Sequence, residues 1–216
     1  MLKVKSHHLH PQHSSSCRFN RRQDKPDSRD YKFKVDGPQI TLPSVVDLKP
    51  YCPPIYYQGD MGSCTGNALA GAFEYMQLKE IRNKQTAGAN APEVFINNTY
   101  TPVSRLFIYW YERFIEGTIN QDSGAELRDG LKALNQWGCC SESMWPYSRP
   151  MLFKHPDYAA VSQAMHHKVG SYMRLDTLND MKMCLASGYP FVFGFVVYES
   201  FNAVAITGDA LMPSPN

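Results

Sequence analysis

From Ser63 onward the chain takes on a helical rhythm: Ala68, Leu69, Ala72, Phe73, Met76 and Ile81 recur at intervals that favour one face of an α-helix. Ser63 stands where an N-cap belongs, which puts Cys64 in the first turn. A second helix is predicted over 104–117 (SRLFIYWYERFIEG), opened by Ser104 and ended near Gly117. A third is predicted over 122–138 (DSGAELRDGLKALNQWG), with Leu127, Leu131 and Leu134 on one face and Gly138 as terminator. Between the first two lies 87–102, rich in turn residues and without a helical period. A short helix is expected at 177–188, where Thr177 and Asp180 are spaced as a capping box and Gly188 follows the last turn.

Three other stretches depart from this rhythm. The run 190–198 (PFVFGFVVY) is almost continuously apolar, β-branched or aromatic, the pattern of a strand buried on both faces. The stretch 168–175 (KVGSYMRL) offers one further strand, and the segment before it, 154–170, reads as a surface helix carrying His155, His166 and His167. Residues 1–38 combine low hydrophobicity with many charges and scattered prolines, so they are expected to be extended or poorly ordered unless they dock on the body. Helices cluster early and sheet comes late, which makes the class α+β.

Composition narrows the picture. A chain of 216 residues with 43% hydrophobic and 19% charged residues belongs to a globular protein with a substantial core. No apolar run approaches the roughly 20 residues a membrane helix needs. The net charge of +2 divides unevenly, with nine Lys/Arg against three Asp in residues 1–34, or +6, and −4 over the remainder. A basic arm therefore precedes a mildly acidic body, on which it could lie. The first residues lack the apolar core of a secretory signal, which favours a cytoplasmic location. His7, His8, His10 and His13, with Cys17, lack the paired blocks of a structural zinc site, so no metal and no cofactor are expected. The six cysteines, Cys17, Cys52, Cys64, Cys139, Cys140 and Cys184, are expected to be free thiols, because the chain is neither small nor visibly secreted.

Chemistry concentrates in 58–64 (QGDMGSC). A helix start offers unpaired N–H groups and the positive end of the macrodipole, so a thiol there is expected to ionise more easily than one in the core. Gln58 supplies a side-chain amide donor, and Gly59 and Gly62 let the backbone approach a substrate closely. A thiolate attacking a peptide carbonyl creates an oxyanion, which the Cys64 backbone N–H and the Gln58 amide could stabilise.

Gln58, Gly62, Ser63 and Cys64, with their six-residue interval from glutamine to cysteine, resemble the nucleophile motif of papain-like cysteine peptidases. Further stretches are similar to that family in chain order: SRLFIYW, DSGAEL, GCCSESMWPY and PFVFGFVVYESF. The short arm with DKPDSRDYKF, followed by LPSVVDLKPYCPPIYYQG, is more similar to the bacterial, xylellain-like branch than to plant papains with long helical propeptides. The resemblance implies a two-lobed fold: an arm over 1–38 acting as a short pro-segment, a helical lobe over 39–150 bearing the nucleophile helix, and the start of a β-rich lobe over 151–216. It implies Cys64 as nucleophile, Gln58 as oxyanion donor, and Gly62, Ser63 and Gly124 as substrate-binding positions. The implied partner is a peptide or protein substrate, with the arm in the chain's own cleft and neither nucleic acid nor membrane involved.

Two departures are local: Met61 stands where the family often has a disulfide-bonded cysteine, and Thr65 where it has a tryptophan. A third is larger. The family's catalytic histidine follows its first long β-lobe strand and an asparagine follows later, whereas no histidine comes after His167 here. His155, His166 and His167 are poorly placed to substitute, and Asn202 and Asn216 have no imidazole to orient. An apolar strand at 190–198 also needs neighbours that little of the remaining chain can provide. The expectation is therefore a helical lobe largely complete, a β lobe cut short, and a 216-residue chain that hydrolyses peptides poorly or not at all. The alternative is a non-catalytic papain-like protein that grips peptides without cutting them.

Overall fold

The computed structural model describes residues 21–34, 41–87 and 100–196. The histidine-rich start, most of the 87–102 connection, and Asn202 and Asn216 lie outside these residues. Five α-helices occur within them: α1 (Cys64–Ala87), α2 (Arg105–Ile115), α3 (Leu127–Gln136), α4 (Tyr158–Ala164) and α5 (Leu178–Ala186). Short 3-10 turns occupy Lys49–Tyr51 and Arg149–Met151.

The packing follows from α2, which is apolar or aromatic around most of its circumference and therefore suits a site with no solvent face. Every residue from Arg105 to Arg113 is buried, with α1 on one side and α3 on the other. Its N-terminus is closed by Ser104, whose hydroxyl accepts from Phe107 N and donates to the Trp145 carbonyl. Its C-terminal aromatics join Trp137 and His155 in a cluster that includes Trp110, Tyr111 and Phe114. The Arg113 guanidinium, fully buried, donates to the carbonyls of Tyr109, Ile119, Gln121 and Leu152, so no charge is left unserved.

The first helix presents a face one step away from the predicted one. Thr65, Leu69, Ala70, Phe73 and Glu74 are buried, while Ala68 and Met76 are exposed. Close approach to α2 sets this rotation: a β-carbon at Gly66 would stand 2.7 Å from the Arg105 carbonyl oxygen and 3.1 Å from Tyr109 Cβ. Polar residues join the buried face because they have partners there. Glu74 accepts from Tyr56 and Tyr100 hydroxyls and from Val103 N, at 2.6, 2.9 and 2.8 Å.

The third helix starts at Leu127 rather than at 122. Gly124 adopts φ 70°, outside helical space, and Asp122 is committed to long-range hydrogen bonds, so 122–126 is extended instead. The surface helix expected over 154–170 shortens to α4, because Asp157 after Pro156 caps it by accepting from Ala160 N. His155, His166 and His167 are left outside any helix, whereas the glycine ends hold. Gly117, Gly138 and Gly188 all take positive φ after α2, α3 and α5, and Thr177 and Asp180 form the full capping box of α5.

Among the described residues no strand forms, and three isolated bridges take its place. Residues 190–196 form no strand, and Phe193, Phe195 and Val196 are exposed rather than buried on both faces. The rings of Phe191, Phe193 and Phe195 follow one another at 5.8 and 5.9 Å, as alternate residues of an extended chain do. The neighbour of this segment is the arm: a β-carbon at Gly194 would collide with the Arg21 side chain. Arg174, on the other expected strand, also pairs with the arm, donating to the Tyr31 carbonyl at 2.7 Å and accepting from Phe33 N at 2.9 Å.

Candidate active site

The loop that leads into α1 is held from behind by one tyrosine. The Tyr147 hydroxyl donates to the Gln58 carbonyl at 2.8 Å and lies 2.5 Å from Ser63 Oγ. Asn67 Nδ2 donates to both the carbonyl and the hydroxyl of Ser63. The Arg105 guanidinium lies between the rings of Tyr147 and Tyr56, 3.8 and 4.3 Å from their centroids. Ser63 is thus fully buried, and its hydroxyl serves the loop. Its carbonyl accepts from Asn67 N at 3.0 Å, the bond that starts the helix at Cys64.

Cys64 is partly exposed at that start. Burial pushes its thiol above the ordinary cysteine value, and the carboxyl of Glu112 adds to this, while backbone N–H groups of Thr65, Arg21 and Cys64 itself pull the other way. The helix start therefore acts as expected, but desolvation outweighs it. Burial lifts the core thiol of Cys139 well above the ordinary value and that of Cys140 to about 12, so the expected contrast with a thiol in the core holds even though Cys64 itself is raised. Glu112 lies fully buried beneath, accepting from Thr65 Oγ1 at 2.6 Å, and its own burial drives its acidity to about 8. Thr65, where a bulky residue was expected from the resemblance, is what admits that hydrogen bond.

Gln58 Nε2 donates to the Met61 carbonyl at 2.7 Å, which fixes the amide in the loop just before the thiol. The Gly62 N–H points to Asp122 Oδ1 at 2.9 Å. Asp122 also accepts from the Tyr109 hydroxyl at 2.8 Å, and that hydroxyl accepts from Gly124 N at 3.0 Å. Two of the candidate substrate positions, Gly62 and Gly124, are thereby tied together through Asp122 and Tyr109.

The arm lies across this region. Arg22 N donates to the Ala125 carbonyl at 3.1 Å, and Arg22 bridges to Glu126 in parallel register, two residues past Gly124. The Arg22 guanidinium pairs with Glu116. Asp24 accepts from Arg128 N at 3.1 Å, taking up an orphan donor in the first turn of α3 that no side chain of its N-cap satisfies. Arg128 in turn grips both oxygens of Asp30, at 2.8 and 2.5 Å, and donates to the Lys25 carbonyl. Attachment thus runs through particular pairs, several with the acids on the arm, rather than through a basic arm on an acidic body.

Among the described residues, no imidazole is one of the groups that act on the Cys64 thiol. His155 packs edge-on against Trp110 at 4.5 Å, and the His167 carbonyl accepts from Cys139 N. Asp122, Tyr109, Tyr147 and Glu112 were not singled out by sequence. The DSG run next to Gly124 was a signal for Asp122, whereas the tyrosines and Glu112 read as ordinary helix or turn residues.

No family model matches the sequence. The solved structure of xylellain, a cysteine protease from Xylella fastidiosa, is similar to this chain with a TM-score of 0.72 at 34% identity, covering 92% of this chain and 73% of that one. A peptidase C1-like protein of Acanthamoeba polyphaga mimivirus, L477, whose name calls it uncharacterized, is 39% identical over 168 residues, which cover 73% of this chain and 49% of its own length. The chain therefore spans about half the length of that curated relative. Digestive procathepsin L 3 of Tenebrio molitor larval midgut is more distant, at 18% identity and a TM-score of 0.48, covering 74% of this chain and 46% of that one. The chain belongs to the papain-like cysteine peptidase family. Its relatives include a bacterial and a viral protein, so the likeness is not confined to bacteria. Among the described residues no helix is long and apolar enough to cross a membrane.

Proposed function

We propose that this chain carries the nucleophile side of a cysteine-type peptidase that cleaves peptide bonds through a thiol acyl-enzyme. The observation that carries the reading is Cys64, partly exposed at the first turn of α1, with backbone N–H groups directed at its sulfur. Once the thiol has given up its proton, the sulfur would attack the substrate carbonyl carbon, forming a C–S bond and an oxyanion for the Cys64 N–H and the Gln58 amide to receive. Collapse breaks the C–N bond and releases an amine that must gain a proton, after which water cleaves the thioester. Both proton transfers call for an acid–base group beside the sulfur, and no imidazole among the described residues fills that role. The 216-residue chain is accordingly expected to be labelled at Cys64 by peptidyl electrophiles but to turn over peptides poorly. Incubation with a fluorogenic peptide panel and a thiol reductant tests this. Thiol-dependent turnover abolished by Cys64→Ala would overturn the expected inactivity, and peptidyl labelling that survives Cys64→Ala would overturn the assignment of the nucleophile.

The arm fits the same reading as a short pro-segment across the cleft, because Arg22 pairs with the 124–126 segment as an extended substrate chain would. The family's β-rich lobe would then face the helical lobe across the groove that Arg21 enters beside Gly194. A second reading, a peptide-binding protein without catalysis, draws on the raised thiol of Cys64. It predicts peptide binding that is unchanged in Cys64→Ser.

A further inference from the structure

Asp122 and Tyr109 occupy a position that the acyl-transfer chemistry does not use. The Asp122 side chain is only 6% exposed, and its Oδ1 receives two donors: Gly62 N from the loop before the thiol, and the Tyr109 hydroxyl from the core helix α2. Tyr109 is fully buried, with the Arg113 guanidinium over its ring at 4.4 Å, so its hydroxyl is a fixed point. That hydroxyl holds Gly124 N, on the opposite side of Asp122 from the loop. Arg149 approaches Asp122 Oδ2 at 3.8 Å and reaches Asp60 Oδ2 at 3.2 Å, which closes the loop onto the same carboxylate from outside.

The two backbone segments so joined are the ones a peptide would have to touch at once. One carries Cys64; the other runs from Gly124 to Glu126, where the arm already pairs as an extended chain. Their spacing decides whether a peptide lying on the second presents a carbonyl to the sulfur of the first. We propose that Asp122 and Tyr109 are positioning residues that set this spacing, through one carboxylate oxygen and one hydroxyl shared between the two segments. The inference rests on the peptidase reading above and adds to it the groups that register substrate against nucleophile. An aspartate at this place needs no oxidising compartment to hold the segments together, unlike a covalent cross-link.

The test compares two alkylating agents with the same leaving group: chloroacetamide, which needs no groove, and N-blocked dipeptidyl chloromethyl ketones, which do. The 216-residue chain carrying Arg128→Ala serves as the common parent, so that the arm competes less for the 124–126 segment. With each rate divided by that reagent's rate with free N-acetylcysteine, the fastest dipeptidyl reagent should label Cys64 in the parent at least about tenfold faster than chloroacetamide, in keeping with oriented binding. Asp122→Ala should lower the dipeptidyl rate about tenfold while leaving the chloroacetamide rate within about twofold, corresponding to about 1.4 kcal/mol of lost orientation. Asp122→Asn, which keeps an acceptor oxygen for Gly62 and Tyr109, should restore most of the dipeptidyl rate, and Tyr109→Phe should fall between. Equal losses with both reagents, or no loss in Asp122→Ala, would overturn the positioning role alone. A parent that shows no dipeptidyl preference would overturn the peptidase reading of the groove, and the positioning role with it.

Discussion

Arg128 of α3 meets both carboxylate oxygens of Asp30, at 2.8 and 2.5 Å across 98 residues of sequence. Both side chains are largely buried, at 9% and 14% exposure, so the pair is a fixed attachment rather than a solvent-screened surface contact. Arg174 reaches the same Asp30 oxygen from 3.5 Å, and Asp24 and the Lys25 carbonyl take further bonds from Arg128. Arg128 is thus one dense point of attachment among the contacts that hold the arm to the body.

Removing that guanidinium should therefore loosen the arm. Arg128→Ala forfeits several charge-assisted hydrogen bonds, on the order of 2 kcal/mol of attachment. Residues 21–34 should become cleavable in limited proteolysis, and Cys64 should react several-fold faster with iodoacetamide. An unchanged digestion pattern together with an unchanged alkylation rate would remove the arm from any role over the thiol.

The pH dependence of Cys64 alkylation follows from the direction of its shift. Burial comes first in raising the thiol above the ordinary value of 9.0. The thiolate, which is the reactive form, then keeps accumulating as pH climbs past that value. Iodoacetamide rates measured from pH 6 to pH 10 should still be rising at the top of the range. A plateau below pH 7 would reveal an ion-paired thiol instead.

Glu112 should make stability fall on the alkaline side. Its burial raises the carboxyl from 4.5 to about 8, so the folded protein holds a proton that the unfolded chain releases. The stability tied to that proton is fully present below the unfolded value and is lost as pH rises through about 8. Tm measured across this window should decline, and Glu112→Gln, which stays neutral, should flatten the decline. Identical slopes in the two proteins would show that another group carries the effect.

Gly130 is required by packing rather than by backbone conformation. A β-carbon there would collide with Leu69 of α1 and with the Glu112 carboxyl of α2, where the three helices come together. Gly130→Ala should destabilise by roughly 1–3 kcal/mol despite alanine's better helix propensity. Urea denaturation provides the check, and a gain in stability would mean that α3 can shift outward at little cost.

How much of this was legible follows the range of the interactions involved. Ser104, Gly117, Gly138, Gly188 and the Thr177–Asp180 box were readable because a cap and its helix are neighbours in sequence. The placement of Cys64 at a helix start was readable for the same reason. The start of α3 was misread, since Asp122 and Gly124 look like a helix entrance until their partners Gly62 and Tyr109 arrive from elsewhere. The apolar run at 190–196 carries the pattern of a strand covered on both faces, but cover depends on what packs over it, and there the Arg21 side chain of the arm lies beside Gly194 while Phe193, Phe195 and Val196 are exposed.

Local pattern thus determined the helices, most of their caps and the placement of Cys64 at a helix start, because each rests on residues within a turn or two of one another. Only tertiary structure decided the state of that thiol and the ties between the segments beside it. Burial against Glu112 reverses the ionisation that a helix start by itself would favour, and the bonds Gly62 to Asp122, Tyr147 to Gln58 and Arg128 to Asp30 join positions 60, 89 and 98 residues apart. Desolvation and long-range hydrogen bonds depend on which surfaces meet, and that is a property of the folded chain as a whole.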